Sequence, residues 1–377
     1  MSRVAALIVL LAASAPASAQ TSWQGSWSAN LFLQYNYQQR KFTDFWATES
    51  LNWFMGSARR AAGRGTVELL GMLSLEPFTL QDIGSPQVFQ TGETFQGGPL
   101  IDYQHPHDLI MQLGGRYDRQ VGGARLGAAA SIVGTPAFGP TPFMHRASAE
   151  GNPTAPLSHH YFDAVHVTPG VITGAIEARG LGFDASAFHG REPDEDRLDV
   201  DLGALDSWAV RGSWTGGRWS AQASGAHVTS PEVVDPLVDA TRLSASVSFN
   251  PPRLALLAAW GQIRDGYALQ DAYLVEAAWH PADDWTSYGR VESVLKNILT
   301  AGGQHPPGFT HPHVYSRVGG VTLGVRRAIH TRHGLRFFVG GDVTGHRTPP
   351  NLQESYGQPW SYHVYVQLSR GGAHRHR

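Results

Sequence analysis

The chain has 377 residues, a formal net charge of −2 and no Cys, which excludes a disulfide scaffold, Cys-ligated zinc or iron–sulfur centres and a Cys nucleophile. Charged residues make up only 16% against 42% apolar, and the near-neutral balance gives no electrostatic reason to expect a nucleic-acid partner. With 43 Gly, 11 Trp, 12 Tyr and 16 Phe, and no run of about 18 apolar residues after residue 20, any membrane crossing falls to strands rather than helices.

Taken in chain order, residues 1–19 read as a signal peptide. Arg3 is a short positive region, Val4 to Ala13 an apolar stretch, and Ala17-Ser18-Ala19 a small-residue cleavage site before Gln20. The apolar stretch is shorter than the ~20 residues an anchor helix needs. Export is therefore expected, and loss of Arg3 makes the mature chain one unit more acidic.

From residue 20 to 370 the chain alternates with a period of two. In 242–250, Leu243, Ala245, Val247 and Phe249 share one face, and Arg242, Ser244, Ser246, Ser248 and Asn250 the other. Such a pattern is a strand between two different environments. Sixteen segments are predicted: 27–37, 44–56, 64–76, 107–118, 123–133, 166–178, 181–189, 207–215, 218–228, 240–250, 253–264, 269–279, 284–295, 314–327, 334–346 and 359–369. Glu49 falls on the apolar side of its segment. Pro169 has no N–H for a ladder and predicts a bulge, or a strand that begins at Gly170.

The connections alternate between tight turns (119–122, 216–217, 251–252, 282–283) and long loops (77–106, 134–165, 190–206, 296–313, 347–358). That asymmetry marks an all-β transmembrane antiparallel barrel of about sixteen strands, with periplasmic turns and extracellular loops. One domain is expected, 20–370, followed by a polar tail, 371–377. A soluble β-sandwich explains the alternation but neither the loop asymmetry nor the aromatic residues at strand ends. Those residues are Trp23, Trp27, Tyr35, Tyr37, Phe45, Trp46, Trp285, Trp360 and Tyr362, placed where interfacial girdles form. A charge facing lipid is costly, so Arg116, Arg211, Glu276, Arg290, Glu292, Arg326, Arg336 and Asp342 are expected to line the lumen.

The chain carries 18 His and only two Lys. His105-Pro106-His107-Asp108 and His311-Pro312-His313 place imidazoles at i and i+2, which face the same way in extended backbone. His105, His107, His159 and His160 form a candidate metal site, with Zn or Cu(II) the ions suited to imidazole. The bland alternative is that they hydrogen-bond loop backbone or pack in the barrel mouth. Glu192, Asp194, Glu195, Asp196, Asp199 and Asp201 offer carboxylates for Ca²⁺ or other metal ions, although such a run is ordinarily a solvated loop tip.

The segment 134–165 is rich in Pro and aromatic residues and reads as folded. It is predicted to pack in the mouth or lumen, with His145, Arg146 and Asp163 at the constriction. Ser158, His159, His160 and Asp163 include the residue types of a hydrolytic triad, but no Gly-x-Ser-x-Gly or His-Glu-x-x-His motif accompanies them.

Residues 142–166, with Leu75-Glu76-Pro77, Gln90-Thr91-Gly92-Glu93, Leu100 to Asp108 and Gly190-Arg191-Glu192-Pro193-Asp194, resemble an uncharacterised family of Gram-negative outer-membrane β-barrel proteins, some members of which sit in heavy-metal resistance neighbourhoods. The resemblance covers roughly residues 70–200. It implies an outer-membrane barrel and no reaction. Family members read Asp-Ser-Thr-His-Ile-Thr-Phe-Gly where this chain has Asp163-Ala164-Val165-His166-Val167-Thr168-Pro169-Gly170, so no hydroxyl is available at 164 or 165.

The expected function is a non-enzymatic channel in the outer membrane, surrounded by its lipids, passing a small polar solute or ion. A non-transporting metal-binding or structural envelope protein is the alternative, and a rim hydrolase the second.

Overall fold

Alternation of this kind places one side-chain face against each of two environments once neighbouring strands pair, and here the pairing closes on itself. The computed structural model describes residues 22–232, 236–297 and 315–371. The signal segment, residues 372–377 of the tail, and His305, His311 and His313 lie outside the described residues.

Among the described residues eighteen strands run in order: β1 Gln24–Arg40, β2 Thr43–Ala62, β3 Gly65–Leu73, β4 Ser85–Phe95, β5 Gly98–Gln104, β6 Ile110–Val121, β7 Ala124–Gly134, β8 Thr168–Ala178 and β9 Leu181–Phe188. They continue as β10 Ser207–Gly216, β11 Trp219–Val228, β12 Ala240–Phe249, β13 Leu254–Arg264, β14 Leu269–Ala282, β15 Trp285–Asn297, β16 Tyr315–Arg332, β17 Leu335–Arg347 and β18 Trp360–Arg370. Sixteen of them form a closed antiparallel barrel, in which β3 pairs directly with β6 and β18 returns to β1. The closing seam runs from Ala29 opposite Arg370 to Gln39 opposite Trp360. Every predicted segment is a barrel strand.

One rim is built from tight turns. Several need a left-handed backbone, as at Arg179-Gly180 (φ 53° and 79°) and His333-Gly334 (φ 52° and 81°), the geometry that two-residue hairpins favour because it matches strand twist. The opposite rim carries the long connections.

The wall's outer face is apolar, with Leu33, Val247, Val291, Leu323 and Val364 all exposed. On that face Tyr35 stacks on Trp46 at 5.9 Å, and Trp219 lies 4.3 Å from Phe249. Phe45 departs from the expected girdle. It shares the inward face with Ala47 and Glu49 and packs against Tyr103 at 5.8 Å. Glu49 is inward for the same reason, and its carboxylate accepts from Gln34, Asn36 and Ser85. β8 starts at Thr168, with Pro169 opposite Val133 and no register shift; Gly170, at φ 65°, absorbs the irregularity expected as a bulge.

The sequence reading missed β4 and β5. These two strands form a separate hairpin inside the connection from β3 to β6. Their pairing is irregular, with shifts near Thr91 and positive φ at Phe89, Gln96 and Asp102. The hairpin is folded inward. Val88 and Phe89 are fully buried with Tyr161, Phe162, Leu274 and Tyr356 in the largest apolar cluster.

Candidate functional site

The connection from β7 to β8, residues 135–167, crosses the barrel interior. Prolines 136, 140, 142, 153 and 156 limit its conformations, and its regular pieces are single turns, including α2 at His159–Phe162. Phe138 fills an apolar cluster with Val165, Phe188 and Ala226, and Phe162 joins the one around Phe89. Burying such side chains contributes roughly 1.5–3 kcal/mol each. Gly139 is required where the segment turns: it has φ 69°, and a Cβ there would lie 1.8 Å from the Phe162 carbonyl oxygen.

Polar contacts tie the segment to the far wall. Arg146 is 3% exposed and sits between Asp163 Oδ2 at 3.2 Å and Glu276 Oε2 at 2.9 Å. Ser158 donates from its backbone N–H and its hydroxyl to Glu292, at 3.0 and 2.8 Å. Arg290 donates to the Thr154 carbonyl, Arg326 pairs with Glu150 at 3.1 Å, and the Tyr365 hydroxyl donates to the Gly151 carbonyl. Burial would raise the carboxyl pKa of Asp163, but His159 and Arg146 outweigh it and hold the group well below its ordinary range. Glu150 is likewise held low against burial by Arg326 and His280.

Of the eight residues expected on the lumen face, Glu276, Arg290, Glu292 and Arg326 are buried beneath this segment. Asp342 accepts from Tyr288 at 3.0 Å and pairs with His363 at 2.6 Å. Arg211 pairs with Asp184 and also donates to the Gly139 carbonyl. Arg116 pairs with Asp118 close to the tight-turn rim, away from the crossing segment. Arg336 lies over the Phe338 ring and borders a cavity of about 140 Å³ with Trp53, His145, Arg146 and Glu150. Of the three constriction residues, Arg146 and Asp163 are joined, while His145 packs on Trp53 at 4.5 Å.

The four predicted metal ligands do not gather as a set. His105, His107 and His159 line one small cavity together with His166. His160 lies ring to ring 5.5 Å from His159, and burial first, then the charges of Lys296, His159 and Arg242, push its pKa well below 6.5. His166 and Glu76 were missed: both had been read as ends of wall strands. Glu76 begins α1 (Glu76–Thr79) and accepts from the backbone N–H of His107, with His107 Nδ1 at 2.8 Å. Among the described residues, Asp194, Asp199 and Asp201 bring their carboxylates within 4.8 Å of one another on the connection from β9 to β10, where they are largely exposed. The triad types do not assemble, because the Ser158 hydroxyl donates a hydrogen bond to Glu292 while His159 Nδ1 pairs with Asp163.

No family model and no curated protein matches the chain. Solved structures do. OmpF of Salmonella typhi, in complex with daunomycin, aligns with a TM-score of 0.59 at 8% identity, over 92% of this chain and 97% of that one. The anion-selective porin from Comamonas acidovorans aligns with a TM-score of 0.55 at 9% identity, over 92% and 100%. A loop L8 deletion mutant of OmpT, an outer membrane protein of Vibrio cholerae, gives 0.55 at 9% identity, over 92% and 99%. None of these bears on heavy-metal resistance. What they share with this chain is architecture, and the chain has the β-barrel fold of outer-membrane porins.

Proposed function

We propose that the protein is an outer-membrane channel for a small polar solute or ion, and not an enzyme, in which segment 135–167 narrows the lumen. The observation that carries this reading is the charged seam between that segment and the far wall, formed by Arg146 with Glu276, Ser158 with Glu292 and Glu150 with Arg326. It lays a polar, ion-paired bar across a barrel whose outer face is apolar, and polarity at a constriction selects what passes. The porin structures of the same fold support the reading by analogy of architecture.

The test is single-channel conductance of the refolded protein in a planar bilayer. Deleting 143–160 should raise conductance while the barrel still migrates as a heat-modifiable band. Unchanged conductance in an assembled deletion variant overturns the constriction. Complete absence of conductance in both forms favours the second reading, a non-transporting envelope protein, which the inward hairpin of β4 and β5 supports by filling further interior space.

A further inference from the structure

The register places Trp53, Asn30, Ser369 and Arg336 directly opposite one another in a single row, on β2, β1, β18 and β17 in turn. Directly opposed residues share one face of the wall, and this row borders the cavity of about 140 Å³ beside the crossing segment, which contributes Met144, Arg146 and Glu150. Gly334 and Gly371 border it as well, so it lies toward the tight-turn rim. Among the described residues Glu150 is the one carboxylate on its lining, and the Oε1 of that group is engaged by Arg326 at 3.1 Å and by His280 at 2.9 Å. Arg146 has Asp163 and Glu276. Arg336 has no carboxylate partner among the described residues; its Nη2 donates at 3.4 Å to the Asp283 backbone carbonyl.

The neighbours of Arg336 sharpen the imbalance. Its guanidinium lies 4.8 Å from the centre of the Phe338 ring, and that of Arg326 lies 4.2 Å from the same centre. The two like charges repel, and Glu150 offsets that repulsion only in part. The neutral polar groups on the row are left as donors. Asn30 accepts from Gln367 through its side-chain oxygen, at 2.8 Å, which leaves its amide N–H groups. Trp53 is 9% exposed, and its indole N–H, which can only donate, is buried without an acceptor among the described residues. A buried donor with no acceptor is costly, so these groups favour an acceptor, and Arg336 an anionic one. Met55 and Met144 pack against the apolar cluster that contains Trp53, which gives the same cavity an apolar side.

We propose that this cavity binds a small organic carboxylate with an apolar body. Arg336 supplies the charge and the planar two-point geometry that a carboxylate fits. Asn30 and Trp53 supply neutral N–H donors, and Met55 and Met144 the apolar contact. The site goes beyond passage through the barrel: it is read by equilibrium binding and stands whether or not the barrel conducts.

The test titrates the full refolded barrel in detergent with benzoate, with its uncharged counterpart benzamide and with inorganic phosphate, by calorimetry. One equivalent of benzoate should bind, and benzamide at least about tenfold more weakly. Arg336 is exposed, so Arg336→Gln should leave the barrel assembled and weaken benzoate at least about tenfold. Asn30→Asp keeps the acceptor for Gln367 but adds a negative charge, and should abolish binding. Arg116→Ala removes another arginine near the same rim, one paired with Asp118, and should bind as the parent does. No benzoate uptake by the parent, or equal uptake of benzamide, overturns the proposal. Equal loss in Arg116→Ala overturns it too, because the anion would then answer the general charge of the rim. Tighter binding of phosphate than of benzoate overturns the organic carboxylate in favour of an inorganic anion.

Discussion

The wall and what lies inside it are held together by different means. The wall is a continuous ladder of backbone pairs, and its side chains need only be apolar outside and polar inside. The crossing segment has little regular structure and is anchored by single side chains, each answering a particular carboxylate, carbonyl or guanidinium on the far strands. The wall should therefore tolerate most substitutions that respect its pattern. The interior should fail at individual residues while the wall stands.

The sharpest separation is expected at Glu276. Its replacement by Ala leaves Arg146 buried with only Asp163, and breaking such a buried pair costs about 3–5 kcal/mol. The crossing segment should become sensitive to limited proteolysis while the heat-modifiable band is retained; loss of both would erase the distinction between the two regions. Val247→Arg attacks the wall instead. A lipid-facing Arg at the midplane costs roughly 2–4 kcal/mol, and the yield of heat-modifiable barrel should drop, with normal assembly counting against the register. Gly139→Ala places a Cβ at φ 69° against the Phe162 carbonyl, a local strain of about 1–3 kcal/mol. It should loosen the crossing segment in hydrogen exchange without changing protection in β11 or β12.

The smallest effect concerns the inward hairpin. Burial raises the Asp102 carboxyl to about 6 against the opposing pull of Arg40 and the Phe89 N–H. An unfolded chain titrates near 3.9. Between those values the folded protein binds more protons than the unfolded one, so stability falls as pH rises through that window. Asp102→Asn should flatten the slope of the denaturant midpoint between pH 4 and 6.5. An unchanged slope would mean that Asp102 is ionised throughout.

This division also explains what the sequence revealed. A period of two is a local property, so Leu243, Val247 and Arg242 declare their faces without knowledge of any partner, and all sixteen wall strands were legible. The hairpin of β4 and β5 was not, because its pairing is broken near Thr91 and kinked at Phe89 and Asp102. Phe45 was placed on the lipid side because an aromatic at a strand end suits either face, and only its register with Glu49 decides. In the histidine cluster, His107 was found from its spacing to His105. Glu76 and His166 were absorbed into strands that end at Leu73 and begin at Thr168, three and two residues away. Their convergence depends on two connections meeting inside the barrel, which no local pattern records.

The anchors of the crossing segment also fix an order of events. Residues 135–167 emerge early, but Glu276, Glu292, Arg326 and Tyr365 lie 130 to 214 positions beyond the residues they anchor, on the last third of the chain. Until β18 reaches β1 there is no far wall to receive them. Tyr161 and Phe162, whose apolar partners include Leu274, Val318 and Tyr356, must therefore wait in water or on a chaperone through most of synthesis and export, and long-range closure of this kind is slow and prone to aggregation. Maturation of the interior is thus a late step that reports on completion of the cylinder. A chain truncated before β18 should be recognised by the exposed aromatic surface it has no means to cover.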